Sequence, residues 1–131
     1  MPRKVIVIGA GPAGMMAAAQ SAKKGNQVTL LEKTKSPGNK LLLTGKGRCN
    51  LTNSMDIKEF VGNIPGNGCF LYSAFSQFSN KDLIEFFREL GVETKEERGG
   101  RIFPVSDKSE DVLAALKRYM ARVGVKLVTG S

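Results

Sequence analysis

The residues able to do chemistry begin at position 9. Gly9, Gly11 and Gly14, with Pro12 and Ala13 between the last two, follow the hydrophobic run Val5-Ile6-Val7-Ile8. A Gly-x-Gly-x-x-Gly turn between a strand and a helix suits a pyrophosphate. Gly9 permits the tight turn, Gly11 lets backbone approach the phosphates, and Gly14 lets helix and strand pack closely. The phosphates then meet free N–H groups at the positive end of the helix dipole. Glu32 closes the next hydrophobic run, 18 residues after Gly14. A carboxylate there accepts from ribose hydroxyls and opposes a 2′-phosphate, which disfavours NADP.

A second stretch runs from Gly38 to Asn53 and reads GNKLLLTGKGRCNLTN. It is rich in glycine and carries three cations, Lys40, Lys46 and Arg48. Such a segment can cradle phosphate through backbone N–H groups and neutralise it with Lys and Arg. A solvated basic loop explains the same composition equally well. Cys49 sits beside Arg48, a neighbour that favours thiolate. With no Cys-x-x-Cys, and Cys69 20 residues away, a small buried or cofactor-lining side chain is the favoured reading. The chain has no histidine, which excludes Ser-His-Asp and Cys-His nucleophile systems and His-ligated zinc within it.

The elements that must position these residues follow from periodicity. Val5–Ile8 is apolar on both faces and reads as a central parallel strand. A helix is expected over about 13–24, ending at Gly25, with Gly14, Ala18, Ser21 and Ala22 forming a flat face against the sheet. Val28–Leu31 supplies the next strand, completing a βαβ unit. Residues 34–54 read as loop. A helix is expected near 69–78, with Leu71, Phe75 and Phe78 at helical spacing. Ser79 reads as the N-cap of another helix, with Asp82 completing a variant capping box and Gly91 ending it. Val92–Glu97 and Arg101–Val105 read as a hairpin around Gly99-Gly100, whose flanking Arg98 and Arg101 are expected to be solvated. A helix over about 107–123 and a third parallel strand at 125–128 complete the chain. The phenylalanines at 70, 75, 78, 86 and 87 are read as core. The fold class is therefore α/β, a Rossmann-like parallel sheet with flanking helices.

The 131 residues carry 20 Lys and Arg against 12 Asp and Glu, a net charge of +8. Residues 1–50 hold nine of the cations and a single acid, Glu32, leaving 11 of each sign in the remainder. An anionic partner is expected at the first segment. The composition is that of one ordinary globular domain, with neither a membrane-length apolar run nor a signal-peptide pattern, and a cytoplasmic location without membrane association is expected. Basic residues are not interleaved with aromatics and no RNA- or DNA-binding motif occurs, which argues against a nucleic-acid binder.

Gly9, Gly11, Gly14, Ala18, Ala22, Gly25, Val28 and Glu32 together resemble the N-terminal fingerprint of the glutathione-reductase-like FAD-binding fold. Three ordered motifs narrow the resemblance: Gly-Pro-Ala-Gly, then Thr44-Gly45-Lys46-Gly47-Arg48-Cys49-Asn50-Leu51-Thr52-Asn53, then Gly100-Arg101-Ile102-Phe103-Pro104-Val105-Ser106. They resemble a bacterial flavoprotein family that includes aminoacetone oxidase and a dehydro-bile-acid reductase. The resemblance implies non-covalent FAD and electron transfer between a reductant and a small organic substrate. It places Gly9, Gly11, Pro12, Ala13 and Gly14 on the pyrophosphate, and Glu32 and Lys33 at the adenosine ribose. It places Lys40, Leu41, Gly47, Arg48, Cys49 and Asn50 along the flavin side. It further implies that residues 1–131 form one partial FAD-binding domain, a front segment of a longer protein with an inserted substrate domain, too short for activity alone. An incomplete sheet has an exposed edge through which it can self-associate. The rival function is a non-catalytic module for NAD or ADP.

Overall fold

The computed structural model describes residues 1–131. Strand β1 (Lys4–Ile8) leads through the glycine turn into helix α1 (Pro12–Lys23) and returns as β2 (Gln27–Glu32). Alanine favours helix throughout α1, and Pro12 at its first turn needs no N–H partner. A second sheet is formed by β3 (Thr52–Asn53), β4 (Thr94–Glu97) and β5 (Arg101–Pro104). Helix α2 (Asn39–Leu43) and a tight turn at Thr44–Gly47 precede β3. Helices α3 (Ile57–Gly62), α4 (Tyr72–Gln77) and α5 (Asn80–Glu89) lie between β3 and β4. Helix α6 (Ser109–Val123) then leads to β6 (Lys126–Thr129).

The first sheet has the order β1-β2-β6 and is wholly parallel, with Ile8 opposite Leu31 and Leu31 opposite Val128. The second has the order β3-β5-β4 and is antiparallel. The core lies between one face of the parallel sheet and helices α1 and α6. Val28 and Leu30 from β2, Met15, Ala18 and Ala19 from α1, and Val112, Leu116 and Met120 from α6 form its buried cluster. The small side chains of α1 let it approach both the sheet and α6, the role the Ala18 and Ala22 spacing predicts.

Several expectations change. β1 is an edge strand, not a central one. It pairs only with β2, and Ile6 and Ile8 are 67% and 84% exposed. Both helices packed on this sheet lie on its other face, so the alternate side chains of β1 have nothing over them. The segment expected as loop contains α2 and β3. The helix expected at 69–78 is a 3₁₀ turn at Gly68–Leu71 followed by α4, and α3 precedes it. Phe70 is 80% exposed and Phe78 40% exposed, so neither is core; the turn swings Phe70 outward. Phe60 and Phe75 pair edge to face, as do Phe86 and Phe87. The Ser79–Asp82 capping box forms as expected, with both reciprocal hydrogen bonds. No helix is long and apolar enough to cross a membrane.

Candidate dinucleotide-binding site

The glycine loop is pinned from three sides. The Gly9 N–H donates to Leu31 O at 2.8 Å, and the Ala10 N–H donates to Glu32 Oε1 at 3.0 Å. The Gly38 N–H donates to Ala10 O at 2.8 Å. Gly9 has φ +98°, which an L side chain rarely adopts. A Cβ on Gly14 would stand 1.8 Å from Gly9 O, so α1 can cross β1 this closely only with glycine there. Gly11 differs from both. Its φ is −81° and a Cβ on it would meet nothing within 4 Å. The packing of the fold itself does not call for a glycine at position 11.

The α1 N-terminus is also open. Gly11 caps it without a side chain and its first turn has no acidic residue. By contrast α3 is capped by Asp56 and α5 by Ser79. The first hydrogen bond inside α1 runs from Met15 N to Gly11 O, leaving the N–H groups of Ala13 and Gly14 without helical acceptors. Pro12 and Ala13 are exposed at this end. These donors, with the helix dipole behind them, suit a diphosphate.

Glu32 lies under the loop. Oε2 accepts from Thr34 N at 2.9 Å and Thr34 Oγ1 at 2.8 Å, while Oε1 holds the Ala10 N–H. These bonds, chiefly from the Thr34 and Ala10 backbone, hold the carboxyl below its usual pKa. Three donors leave about one acceptor position on a carboxylate, so a ribose hydroxyl can join them. Glu32 thus shapes the loop. Lys33 is exposed and forms no ion pair.

The second motif closes on the same end of α1. Leu41, Cys49 and Asn50 line, with Pro12, Met16 and Thr44, a cavity of about 190 Å³ beside the helix N-terminus. The expected flavin-side residues Leu41, Cys49 and Asn50 are therefore brought against the glycine loop. Lys40 is exposed and unpaired, and Gly47 is half-buried in the tight turn. Cys49 is only 5% exposed, and burial pushes its thiol pKa up. Arg48 next door does not produce a thiolate, which agrees with a small lining side chain rather than a redox thiol.

Arg48 is engaged by groups of the second sheet and of the turn after it. Its Nη1 donates to Glu97 Oε2 at 2.9 Å and Asp107 Oδ1 at 3.1 Å, and its guanidinium lies 3.9 Å from the centroid of buried Phe103. The resemblance implies Arg48 along the flavin side; its partners Glu97 and Asp107 lie far off in sequence and carried no signal there. Asn53 and Asn80 were missed as well. Asn53 donates to Gly99 O at 2.8 Å, and the buried Asn80 amide donates to the carbonyls of Asn53 and Met55. Asn53 stood inside the second motif, so its signal was present. The three motifs thus meet in space, the third supporting the second.

A profile of the HI0933-like protein Rossmann domain matches residues 3–131. The chain belongs to the HI0933-like family. Within that family-level similarity, it is 40% identical over 97% of its length to the 3-dehydro-bile acid delta(4,6)-reductase of Clostridium scindens. It is 34% identical over 96% of its length to a ribosomal RNA dihydrouridine synthase of Haemophilus influenzae. The chain spans 31% of the length of each of these two relatives. THI4 of Thermovibrio ammonificans shares the fold at a TM-score of 0.64 and 17% identity, covering 98% of this chain and 39% of that one. The HI0933-like chain is thus a Rossmann domain in sequence and in fold, as the glycine turn and βαβ order predict.

Proposed function

We propose that residues 1–131 form the FAD-binding segment of a flavin-dependent oxidoreductase acting on a small organic substrate. The observation that carries this reading is the glycine at position 11, which the fold does not require, at an uncapped helix N-terminus facing the second motif. In this reading Ala13 and Gly14 donate backbone N–H groups to the pyrophosphate. Glu32 accepts from the adenosine ribose, with Lys33 beside it. Lys40, Leu41, Gly47, Cys49 and Asn50 form the flavin side, and the buried, protonated Cys49 excludes water there. Bound flavin supplies reversible two-electron chemistry.

The relatives' names support a reduction. One is a reductase of a bile acid, and the other forms dihydrouridine. Forming a dihydro product adds hydrogen across a double bond, which suits a reduced flavin. A base within RNA is the second reading of the substrate, favoured by the nine cations and one acid of residues 1–50. The purified protein titrated with FAD, NAD and ADP by calorimetry, with visible spectra, tests the cofactor. FAD binding tightest supports the reading. NAD or ADP outcompeting FAD refutes it in favour of a non-catalytic nucleotide module. Steeply salt-dependent binding of uridine-containing RNA selects the second substrate reading.

A further inference from the structure

The chain contains three non-glycine residues at positive φ: Lys46 at 56°, Cys49 at 60° and Asp107 at 58°. Each such residue is held in a sparsely populated conformation that persists only where its surroundings over-determine it. All three lie at one place. Lys46 and Cys49 flank Arg48 along the Gly45–Asn50 loop, and Asp107 accepts from Arg48. Gly45 and Gly47 are also left-handed, at φ 56° and 85°. Nearly the whole loop therefore follows a path that ordinary side chains resist.

Three further charges close around Arg48. Besides its bonds to Glu97 and Asp107, Lys95 Nζ lies 2.7 Å from Asp107 Oδ2 and 3.4 Å from Glu97 Oε2. Two cations and two carboxylates make a neutral ring, with the Phe103 side chain beneath the guanidinium. The ring joins the loop to β4 and to the turn after β5. Its members are 28–41% exposed, so water and salt weaken it without abolishing it. Arg48 Nη2 and Nε donate to nothing in the protein, so its fork is not fully satisfied by the ring.

We infer that Arg48, Glu97, Lys95 and Asp107 form a clasp that holds the Gly45–Asn50 loop in its left-handed path and so positions Cys49 and Asn50 against the cofactor. Arg48 is then a positioning residue that acts through the loop, not a phosphate contact. The inference rests on the proposed FAD site for its second half. The two possible roles of Arg48 differ in sign. If the cation contacts the cofactor, Glu97 and Asp107 compete for it, and removing them tightens binding. If it holds the loop, removing them loosens the loop and weakens binding.

The test uses Glu97→Gln, Asp107→Asn and their double variant, with Glu85→Gln on α5 as a control ion-pair removal remote from the loop. The isosteric changes preserve shape, and circular dichroism checks folding. Without ligand, limited trypsin digestion followed by mass spectrometry measures cutting after Lys46 and Arg48. The clasp predicts about tenfold faster cutting at these two sites in the double variant and none in Glu85→Gln, since cleavage follows the population of the opened loop. With FAD, the double variant binds about tenfold more weakly, a scale typical of losing outer-shell support. The visible band of its bound flavin shifts as the loop leaves the ring. Unchanged cutting overturns the clasp. Faster cutting with unchanged or tighter FAD binding and an unchanged band overturns the positioning role. If the parent chain binds no FAD, the FAD reading fails separately, and the trypsin result alone decides the clasp. Should the double variant not fold, each single variant is read by the same criteria.

Discussion

Replacing Gly11 by alanine adds one methyl at the one glycine of the turn where both the space and the backbone angle accept it. The backbone there, at φ −81° and ψ −179°, is one alanine adopts freely, and no atom lies within 4 Å of the added carbon. Alanine is a poorer N-cap than glycine by roughly 0.5–1 kcal/mol, and it restricts the unfolded chain by a similar ~0.4–1 kcal/mol, so the two effects nearly cancel. The melting temperature should therefore stay within a few degrees of the parent. Gly14→Ala is the contrasting change. Its methyl would stand 1.8 Å from a carbonyl oxygen whose own residue is bonded to Leu31, so strand or helix must move. Overpacking of this kind costs about 3 kcal/mol or more. At about 4 °C per kcal/mol for a domain of this size, the melting temperature should fall by about 12 °C or more. FAD binding should respond in the opposite order of surprise. In Gly11→Ala the methyl occupies the approach of the pyrophosphate and lengthens its bonds to the Ala13 and Gly14 N–H groups. Losing one such charge-assisted bond is worth about 1.5–3 kcal/mol, or ~10–100-fold in affinity. Thermal melts by circular dichroism and FAD titrations by flavin fluorescence measure both quantities on both variants. A Gly11→Ala protein that melts normally and binds FAD as the parent does would refute the site. A Gly14→Ala protein of unchanged stability would refute the packing argument.

Three further outcomes are expected. Glu32 has a lowered pKa in the folded protein, so its stabilising contribution is present above its ordinary value near 4.5 and is lost as pH falls through the folded value. Melts at stepped acid pH should show Glu32→Gln less stable than the parent at neutral pH and converging on it as the pH falls below the ordinary carboxylate value. Alkylation with iodoacetamide, followed by mass spectrometry, should label exposed Cys69 first, with buried Cys49 reacting only on unfolding; early labelling of Cys49 would contradict its burial. Ser79→Ala removes the α5 capping box and should cost about 1 kcal/mol, seen as a melting temperature lower by about 4 °C, with FAD affinity unchanged.

Much of the site was legible in the sequence because its chemistry is local. A glycine turn between a β-branched run and an alanine-rich helix carries its own strand, helix and anion pole within a few residues. Glu32 was found by the same logic, since a βαβ unit has a nearly constant length. The capping box at Ser79 and Asp82 formed as read, because both partners lie in one turn. Phe70 failed for the complementary reason. Helical spacing shows which side chains share a face, but a 3₁₀ turn at Gly68–Leu71 broke the helix and turned that face to solvent.

By itself, then, the sequence determined the parallel βαβ unit, the glycine turn and the three motifs that mark the family. Those features depend on residues within a turn or a crossover of one another. Only the tertiary structure decided what Arg48 does, that β1 lies at an edge, and that Gly11 faces open space while Gly14 faces Gly9. Arg48 meets Glu97 and Asp107 across 49 and 59 residues. Over such separations a charge carries no information about its partner until the chain has folded, because attraction between ions is screened within about a nanometre and packing chooses which ones come that close.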